Sequence, residues 1–420
     1  MTTRIHNVLS ILSNNKAGFS YVSLNILTTF IRFFKGFILM KYLTLSDLGV
    51  ITLVTAVMGL FTMLQLGFLN GGYRIYSEEH HDKSIVNDIV YSYFVGIEAL
   101  VIIGIAIMFL AHQLDGEEVM FAFLASIFGI LLVLNNWIRN ILIAEKKVKE
   151  VNRLNIWSNL GSLIFLFTVP FWGLYGALLV TFSIELIFYI QAICTHSNLL
   201  PHGFNYSFRQ YKWVLSYGFF PFLSGLIITY NMQIETWSIA SFISTEALGT
   251  FYLPRLYISL FLLIPTAVSQ LFYPDAIKAY KVSDHGKLRT ILWKYIGTNT
   301  AVSFLLSVIT VFLMEPVISY LVPLHLVGVP FVWMILPGLV IYTIMQPLDL
   351  VFYASNILRP FLWASLVAAS VTTFGLIGAE LLDIFSLTTV AIVKSLFYLV
   401  ICIIMFVFYM VNKRKIWNLT

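Results

Sequence analysis

Apolar residues run along this chain in stretches of roughly twenty or more, separated by short polar links. An α-helix of that length crosses a hydrocarbon core of about 30 Å, so the pattern predicts membrane-spanning helices. Twelve spans are read, over residues 18–43, 48–73, 86–111, 119–143, 154–173, 174–195, 213–243, 247–274, 290–314, 328–354, 360–382 and 386–411. The fifth and sixth meet at Gly173 in a very tight link. Prolines at Pro221, Pro254, Pro265, Pro330, Pro337 and Pro347 are expected to bend the helices of the second half, where freed carbonyls must find partners in protein or water.

Composition agrees with this pattern. Of 420 residues, 59% are hydrophobic and 11% charged, with mean hydropathy +0.89, whereas soluble domains carry about 25% charged residues. The longest links, Glu315 to Val327 and His196 to Lys212, leave no room for a soluble domain. Placing the N-terminus inside puts nineteen of the 25 lysines and arginines on the cytoplasmic side, only Lys41 outside, and five within spans. That asymmetry predicts that both termini are cytoplasmic. The net charge of +5 is then a topology signal, and nucleic acid is not an expected partner.

Little in the chain suggests catalysis. Residues 1–17 hold no apolar stretch of signal-peptide length, so the first helix is expected to serve as its own insertion signal. Cys194 and Cys402 read as small apolar core residues. The eight histidines fall in or beside loops, with the pair His80 and His81 expected to be solvated. No metal-ligand spacing, phosphate-cradling glycine loop or Ser/His/Asp set is present, so neither metal nor cofactor is expected. A nucleotide-driven pump would need a second chain.

The candidate chemistry lies inside the spans. Nine ionised side chains sit at mid-helix: Arg32, Lys35, Glu98, Arg139, Glu185, Glu235, Arg255, Asp349 and Lys394. At about 2.5 to 3.5 kcal/mol each, nine facing lipid would cost roughly 20 to 30 kcal/mol, so they must face one another or water. Helical spacing gathers other polar residues beside them. Asn25, Thr28 or Thr29, Arg32 and Lys35 share a face of the first helix, and Asn136, Arg139 and Asn140 one of the fourth. The seventh carries Ser224, Asn231, Glu235 and Ser238, the eighth Arg255, Ser259, Thr266 and Gln270, and the tenth Tyr342, Gln346, Asp349 and Tyr353. Five such stripes exceed what interhelical hydrogen bonding requires and point to a shared aqueous cavity. Trp137 and Trp237 lie beside the stripes, where a sugar face could stack, although core or interface-belt packing is the more expected role.

The chain also repeats itself. At a shift of 200 residues Leu48-Gly49 falls on Leu248-Gly249, the preceding Tyr42-Leu43-Thr44-Leu45-Ser46-Asp47 on Phe242-Ile243-Ser244-Thr245-Glu246-Ala247, and Tyr73 on Tyr273. Six spans return the chain to its starting side, so the repeats are parallel. The expected organisation is a six-helix lobe over 1–195, a cytoplasmic linker over 196–212 and a second six-helix lobe over 213–420, around a central cavity. Lys35 then corresponds to Glu235; the two are expected either to pair at the lobe interface, which a double charge reversal would test, or to be satisfied locally by hydroxyls or backbone.

Leu43-Thr44-Leu45-Ser46-Asp47-Leu48-Gly49, Leu66-Gly67-Phe68-Leu69-Asn70-Gly71-Gly72-Tyr73-Arg74, Tyr217-Gly218-Phe219-Phe220-Pro221 and Gln233-Ile234-Glu235-Thr236-Trp237, in this order, resemble Wzx-type O-antigen flippases of the multidrug/oligosaccharidyl-lipid/polysaccharide superfamily. The resemblance implies a bacterial inner-membrane protein that moves an undecaprenyl-diphosphate-linked repeat unit to the periplasmic leaflet by alternating access. It also implies coupling to protons, other ions or the membrane potential, contact with membrane lipid, and association with other polysaccharide-assembly membrane proteins. Relatives often carry Asp where Glu235 stands. The residues expected at the substrate are Arg32, Lys35, Arg139, Arg255, Asn136, Asn231 and Gln346; those expected in ion coupling or at the lobe interface are Glu98, Glu185, Glu235, Asp349 and Lys394. A multidrug antiporter of the same fold would favour an acid-dominated cavity, against five bases and four acids here. A membrane polymerase would need a sizeable external loop.

Overall fold

The computed structural model describes residues 16–77, 83–196, 199–355 and 359–417. His6, His80 and His81 lie outside the described residues, as do the side chains of Asn25, Pro221, Ser224, Pro265, Thr266, Gln270 and Tyr353. Every regular element among the described residues is helical. In chain order these are α1 (Lys16–Tyr42), α2 (Leu45–Leu64), α3 (Phe68–Tyr76), α4 (Lys83–Leu110), α5 (Gly116–Ala144), α6 (Val148–Ile164), α7 (Val169–Thr195), α8 (Phe208–Phe242), α9 (Thr245–Thr250), α10 (Tyr252–Lys281), α11 (His285–Leu321), α12 (Val329–Met345), α13 (Pro347–Ala354), α14 (Arg359–Leu381) and α15 (Leu387–Ile416). Short 3-10 turns occupy Phe165–Thr168 and Pro323–Gly328.

Eight helical stretches among the described residues are long and apolar enough to cross a membrane, which makes this a multi-pass membrane protein. One of the eight, Val148–Thr195, is 48 residues long. It is two helices, because Gly173 adopts φ 51° and ψ −122°, a region glycine enters without a Cβ penalty, and α6 packs back on α7. The expected tight link is therefore a reversal built on one glycine. Helices α1, α8 and α10 have 27, 35 and 30 residues. Each carries one or two of the predicted buried charges. The tenth span is broken, α12 ending at Met345 and α13 starting at Pro347, where a proline without an N–H interrupts the ladder.

By contact the chain forms two compact units, one of residues 42–249 and one of residues 1–41 with 250–420. This division crosses the repeat: the first helix groups with second-half helices and the seventh with first-half helices. The cause is close backbone packing. In the first unit a side-chain carbon at Gly71 would overlap the Val214 carbonyl and one at Gly218 the Gly67 carbonyl, so α3 and α8 meet at a separation only glycine permits, the usual device where no hydrophobic effect drives helices together in lipid. In the second, Gly36 of α1 faces the Leu256 side chain and the Tyr252 hydroxyl of α10. The end of α1 is held there too, with His325 Nε2 2.9 Å from the Met40 carbonyl.

The first unit also contains the two turns related by the repeat. Thr44 Oγ1 accepts from the Asp47 N–H at 3.2 Å, and Asp47 Oδ2 accepts from the Thr44 N–H at 3.2 Å, a reciprocal cap for α2. Two hundred residues on, Ser244 Oγ accepts from the Ala247 N–H at 3.0 Å. The turns then lock together: Gly49 lies against the Thr245 carbonyl and Gly249 against the Leu45 carbonyl. Behind them the core of this unit gathers Phe61, Phe68, Trp137, Phe188 and Val214. The second unit packs Leu292, Val351, Phe352 and Met405 in one cluster and Ala276, Tyr295 and Leu350 in another.

Candidate functional site

Helical periodicity brings the candidate residues into separate groups, each within one compact unit. In the second unit, Arg32 and Lys35 lie on α1 and Arg255 on α10, on either side of the seam where Gly36 meets Leu256 and Tyr252. Arg32 is one turn before Gly36, Lys35 is its neighbour, and Arg255 adjoins Leu256. Lys35 is buried at 5% exposure, Arg255 is half-buried and Arg32 is exposed. The three cations thus lie on two helices that pack together at Gly36, with the Arg255 charge within electrostatic reach of Tyr252.

A second group in this unit surrounds Asp349, which opens α13 with its N–H donating to the Gln346 carbonyl at 2.9 Å. Tyr295 lies within electrostatic reach of Asp349 and shares hydrogen bonds with Ser269 and Asn299. Asn299 in turn donates through Nδ2 to the Thr343 carbonyl at 2.9 Å. Gln346 Oε1 is buried without a hydrogen-bond partner. Sequence reading missed Ser269, Tyr295, Asn299 and Thr343. The spacing of Tyr295 and Asn299, four apart on α11, is the signal that marks them. Lys394 on α15 is buried at 5% exposure, with Nζ 5.4 Å from the Phe397 ring centre and 5.7 Å from that of Tyr398.

In the first unit Arg139 is committed locally. Its Nη1 donates to Asn136 Oδ1 at 2.7 Å, its Nε to Asn155 Oδ1 at 3.2 Å, and its guanidinium stacks 4.2 Å from the Phe188 ring centre. It thereby ties α5 to α6 and α7, and it belongs to a different compact unit from Arg32 and Arg255. Glu185 accepts from Asn135 Nδ2 at 2.7 Å, and the same Nδ2 also reaches the Glu185 carbonyl at 2.9 Å. Asn135 is fully buried; it sits beside the predicted Asn136 stripe, and sequence reading passed over it. Glu98 Oε1 accepts from Ser126 Oγ at 3.0 Å while its Oε2 is buried without a partner. On α8, Asn231 and Glu235 are buried at 4% and 5% exposure. Asn231 donates to the Ile227 carbonyl at 2.9 Å, and its Oδ1 is left without a partner.

Trp137 is no sugar platform. It has no exposed surface, donates through Nε1 to Asn87 Oδ1 at 2.8 Å and meets Tyr76 edge-on. Asn87 passes the contact on to the linker by donating to the Leu199 carbonyl at 3.1 Å. Asp88 and Ser92 on the same helix accept from the N–H groups of His202 and Asn205 at 2.8 and 2.6 Å. The predicted linker is thus strapped to α4 rather than free. At the C-terminal ends of α3 and α5, Tyr76 donates to Glu145 Oε1 at 3.0 Å, and Lys147 Nζ lies 2.8 Å from Glu145 Oε2. Burial alone would raise the Glu145 pKa, but the hydrogen bonds of Lys147 and Tyr76 and the charges of Lys147 and Lys83 outweigh it and hold it below the ordinary value.

The family model described as polysaccharide biosynthesis protein matches residues 38–323. In fold the chain is similar to an inward-facing multidrug resistance MATE family transporter of the MOP superfamily, with TM-score 0.72 and 15% identity over 96% of this chain and 99% of that one. It is equally similar to the lipid II flippase MurJ in an inward closed conformation, with TM-score 0.72 and 14% identity over 95% of this chain and 90% of that one. The MATE multidrug transporter DinF-BH is similar at TM-score 0.64 and 14% identity, covering 98% and 97%. No curated protein sequence matches it significantly. The likeness extends over nearly the whole of each chain and shows an all-helical fold like that of the MATE transporters and MurJ.

Proposed function

Because this chain belongs to the polysaccharide biosynthesis protein family, we propose that it is a flippase carrying undecaprenyl-diphosphate-linked O-antigen repeat units from the cytoplasmic to the periplasmic leaflet of a bacterial inner membrane by alternating access. The observation that supports the reading is that α1, which carries Arg32 and Lys35, packs at Gly36 on α10, which carries Arg255. Arginine's planar fork matches phosphate oxygens two at a time, the chemistry a diphosphate-linked carrier presents. Buried acceptors without partners on Asn231 and Gln346 suit sugar hydroxyl donors. Arg139 takes a structural part on this reading, and Asp349 with Tyr295, or Glu98 with Ser126, supplies the ion coupling.

The proposed topology has twelve crossings. The eight apolar stretches become nine when Val148–Thr195 is divided at Gly173, and the three long, charge-bearing helices α1, α8 and α10 complete the set. An even number keeps both termini in the cytoplasm, as the distribution of lysine and arginine requires.

Complementation tests the assignment. The chain expressed in a strain lacking its O-antigen flippase is expected to restore surface polysaccharide, and Arg32→Ala and Arg255→Ala are expected to abolish that rescue at equal expression. Resistance to cationic dyes without polymer would overturn the reading in favour of drug export.

A further inference from the structure

Where the start of α11 lies beside the end of α15 and the α12–α13 break, the second unit holds a cavity of about 750 Å³, within the roughly 300 to 1,000 Å³ of small-molecule sites. None of its lining residues belongs to α1 or α10, and none is acidic. The two helices at its rim are built alike. Helix α11 presents Arg289 and, seven residues deeper, Ile296; α15 presents Lys413 and, seven residues deeper, Phe406. Both bases are exposed, so a positive rim leads to an apolar wall that Leu292, Ile344 and Leu348 complete. Trp293 and Trp417 line the cavity too, each four residues from one of the bases. Tryptophan gathers in this way at the boundary between lipid and water.

The rim also carries polar atoms turned to no protein partner. His285 Nδ1 is buried without a hydrogen bond. Tyr409 Oη accepts from Trp417 Nε1 at 3.2 Å, which leaves the phenol's own hydrogen to donate elsewhere. The neighbouring carboxylate, Asp284, is turned to its own helix, capping α11 by accepting from the Lys287 N–H at 2.9 Å.

We propose that this cavity binds one anionic phospholipid of the surrounding membrane, its phosphodiester held by Arg289, Lys413, His285 and the Tyr409 hydroxyl and an acyl chain laid against the apolar wall. The site stands apart from the cations of α1 and α10 and needs no part of the transport reading. Charge selects an anionic head, because the ammonium of a zwitterionic lipid would meet two exposed bases and no acid. The wall selects a lipid over free phosphate, since each CH₂ taken out of water adds affinity. Depth suits an acyl chain: Arg289 to Ile296 is about 10 Å along the helix at 1.5 Å per residue, inside the roughly 15 Å of hydrocarbon in one leaflet.

The test is native mass spectrometry of the delipidated full-length chain, titrated with phosphatidylglycerol, phosphatidylethanolamine, undecaprenyl phosphate and inorganic phosphate. Phosphatidylglycerol is expected to bind about tenfold or more tighter than phosphatidylethanolamine, the scale of two basic contacts to an anionic head. Arg289→Gln with Lys413→Gln should erase that preference. Lys287→Gln with Lys294→Gln, which removes two exposed bases of α11 that do not line the cavity, should leave it intact. Ile344→Trp, which fills the wall, should weaken phosphatidylglycerol severalfold, and Ile296→Trp gives a second variant should the first fail to fold. Equal binding of the two phospholipids, the same loss in both glutamine pairs, or unchanged affinity in a folded tryptophan variant would overturn the proposal. So would displacement of phosphatidylglycerol by inorganic phosphate, or tighter binding of undecaprenyl phosphate at the same residues.

Discussion

Gly49 lies against the backbone carbonyl of Thr245, and two hundred residues on Gly249 lies against that of Leu45. The contact is reciprocal under the sequence repeat, since Leu45 corresponds to Thr245 and Gly49 to Gly249. Each partner atom is main chain, so no side chain can swing aside to admit a methyl group. Gly49→Ala and Gly249→Ala are each expected to destabilise the protein by about 1 to 3 kcal/mol, the usual cost of overpacking. Gly104→Ala, where nothing lies within 4 Å of the added carbon, is expected to leave stability unchanged or slightly raised. Thermal unfolding of the three variants in one detergent checks this, and equal midpoints would mean the turns are not locked.

The buried Asn135 and Glu185 form a similar dependency in side chains. Asn135 Nδ2 donates at 2.7 Å to a Glu185 carboxylate oxygen. Asn135→Leu keeps the volume and removes the donor, leaving a half-buried carboxylate oxygen unmatched, at about 1 to 3 kcal/mol. Pairing it with Glu185→Leu should recover much of that loss, because two apolar groups leave nothing unsatisfied. A double-mutant cycle on unfolding midpoints measures the coupling, and additive losses would show that the two residues are independent.

The helices were largely legible in the chain because hydrophobic length is a long-range property that twenty residues report together. Gly173 and the Leu-Gly turns were legible for a related reason: an unusual backbone leaves a distinctive residue. Partner choice was not. Arg139 reads from its helix face as facing a cavity, yet Asn155, sixteen residues on and across a turn, takes one arm of its fork. Trp137 is the core residue its type suggests, but nothing in the spacing names Asn87, fifty residues earlier, as the partner of its indole N–H. The contact units were equally hidden, since which helices group together depends on glycine carbonyl contacts such as Gly218 with Gly67, and spacing along one helix says nothing about the helix opposite.

Glu145 makes the C-terminal end of α5 in the first unit sensitive to acid. Its folded pKa lies below the ordinary carboxylate value of 4.5. A depressed group of this kind adds stability that is fully present above the unfolded pKa and is lost as pH falls through the folded one. The unfolding midpoint should therefore hold steady down to about pH 5 and then fall as acid is added, with this residue's share at most about 1 kcal/mol at so accessible a site. Glu145→Gln should start lower near neutrality and flatten that part of the acid limb. A variant curve parallel to the wild type through the acid range would show that Glu145 does not titrate with folding.

Arg139 separates a structural cation from a substrate-binding one. Its two hydrogen bonds diverge to Asn136 on its own helix and Asn155 on the next, with the flat guanidinium stacked on Phe188. Lysine keeps the charge, but a single ammonium on a flexible stem cannot occupy both arms of the fork or lie flat on the ring. Arg139→Lys is therefore expected to lower stability by about 1 to 2 kcal/mol, the scale of a lost hydrogen bond to a charged group. Export per folded molecule should stay near wild type, because on the proposed reading the Arg139 fork does not hold the phosphates. Arg255→Lys should do the reverse and lower export with little change in the unfolding midpoint, since a point charge replaces a bidentate donor at the anion. Surface polysaccharide normalised to folded protein in the membrane distinguishes the two, and a loss of export in Arg139→Lys at an unchanged midpoint would move Arg139 into the substrate site.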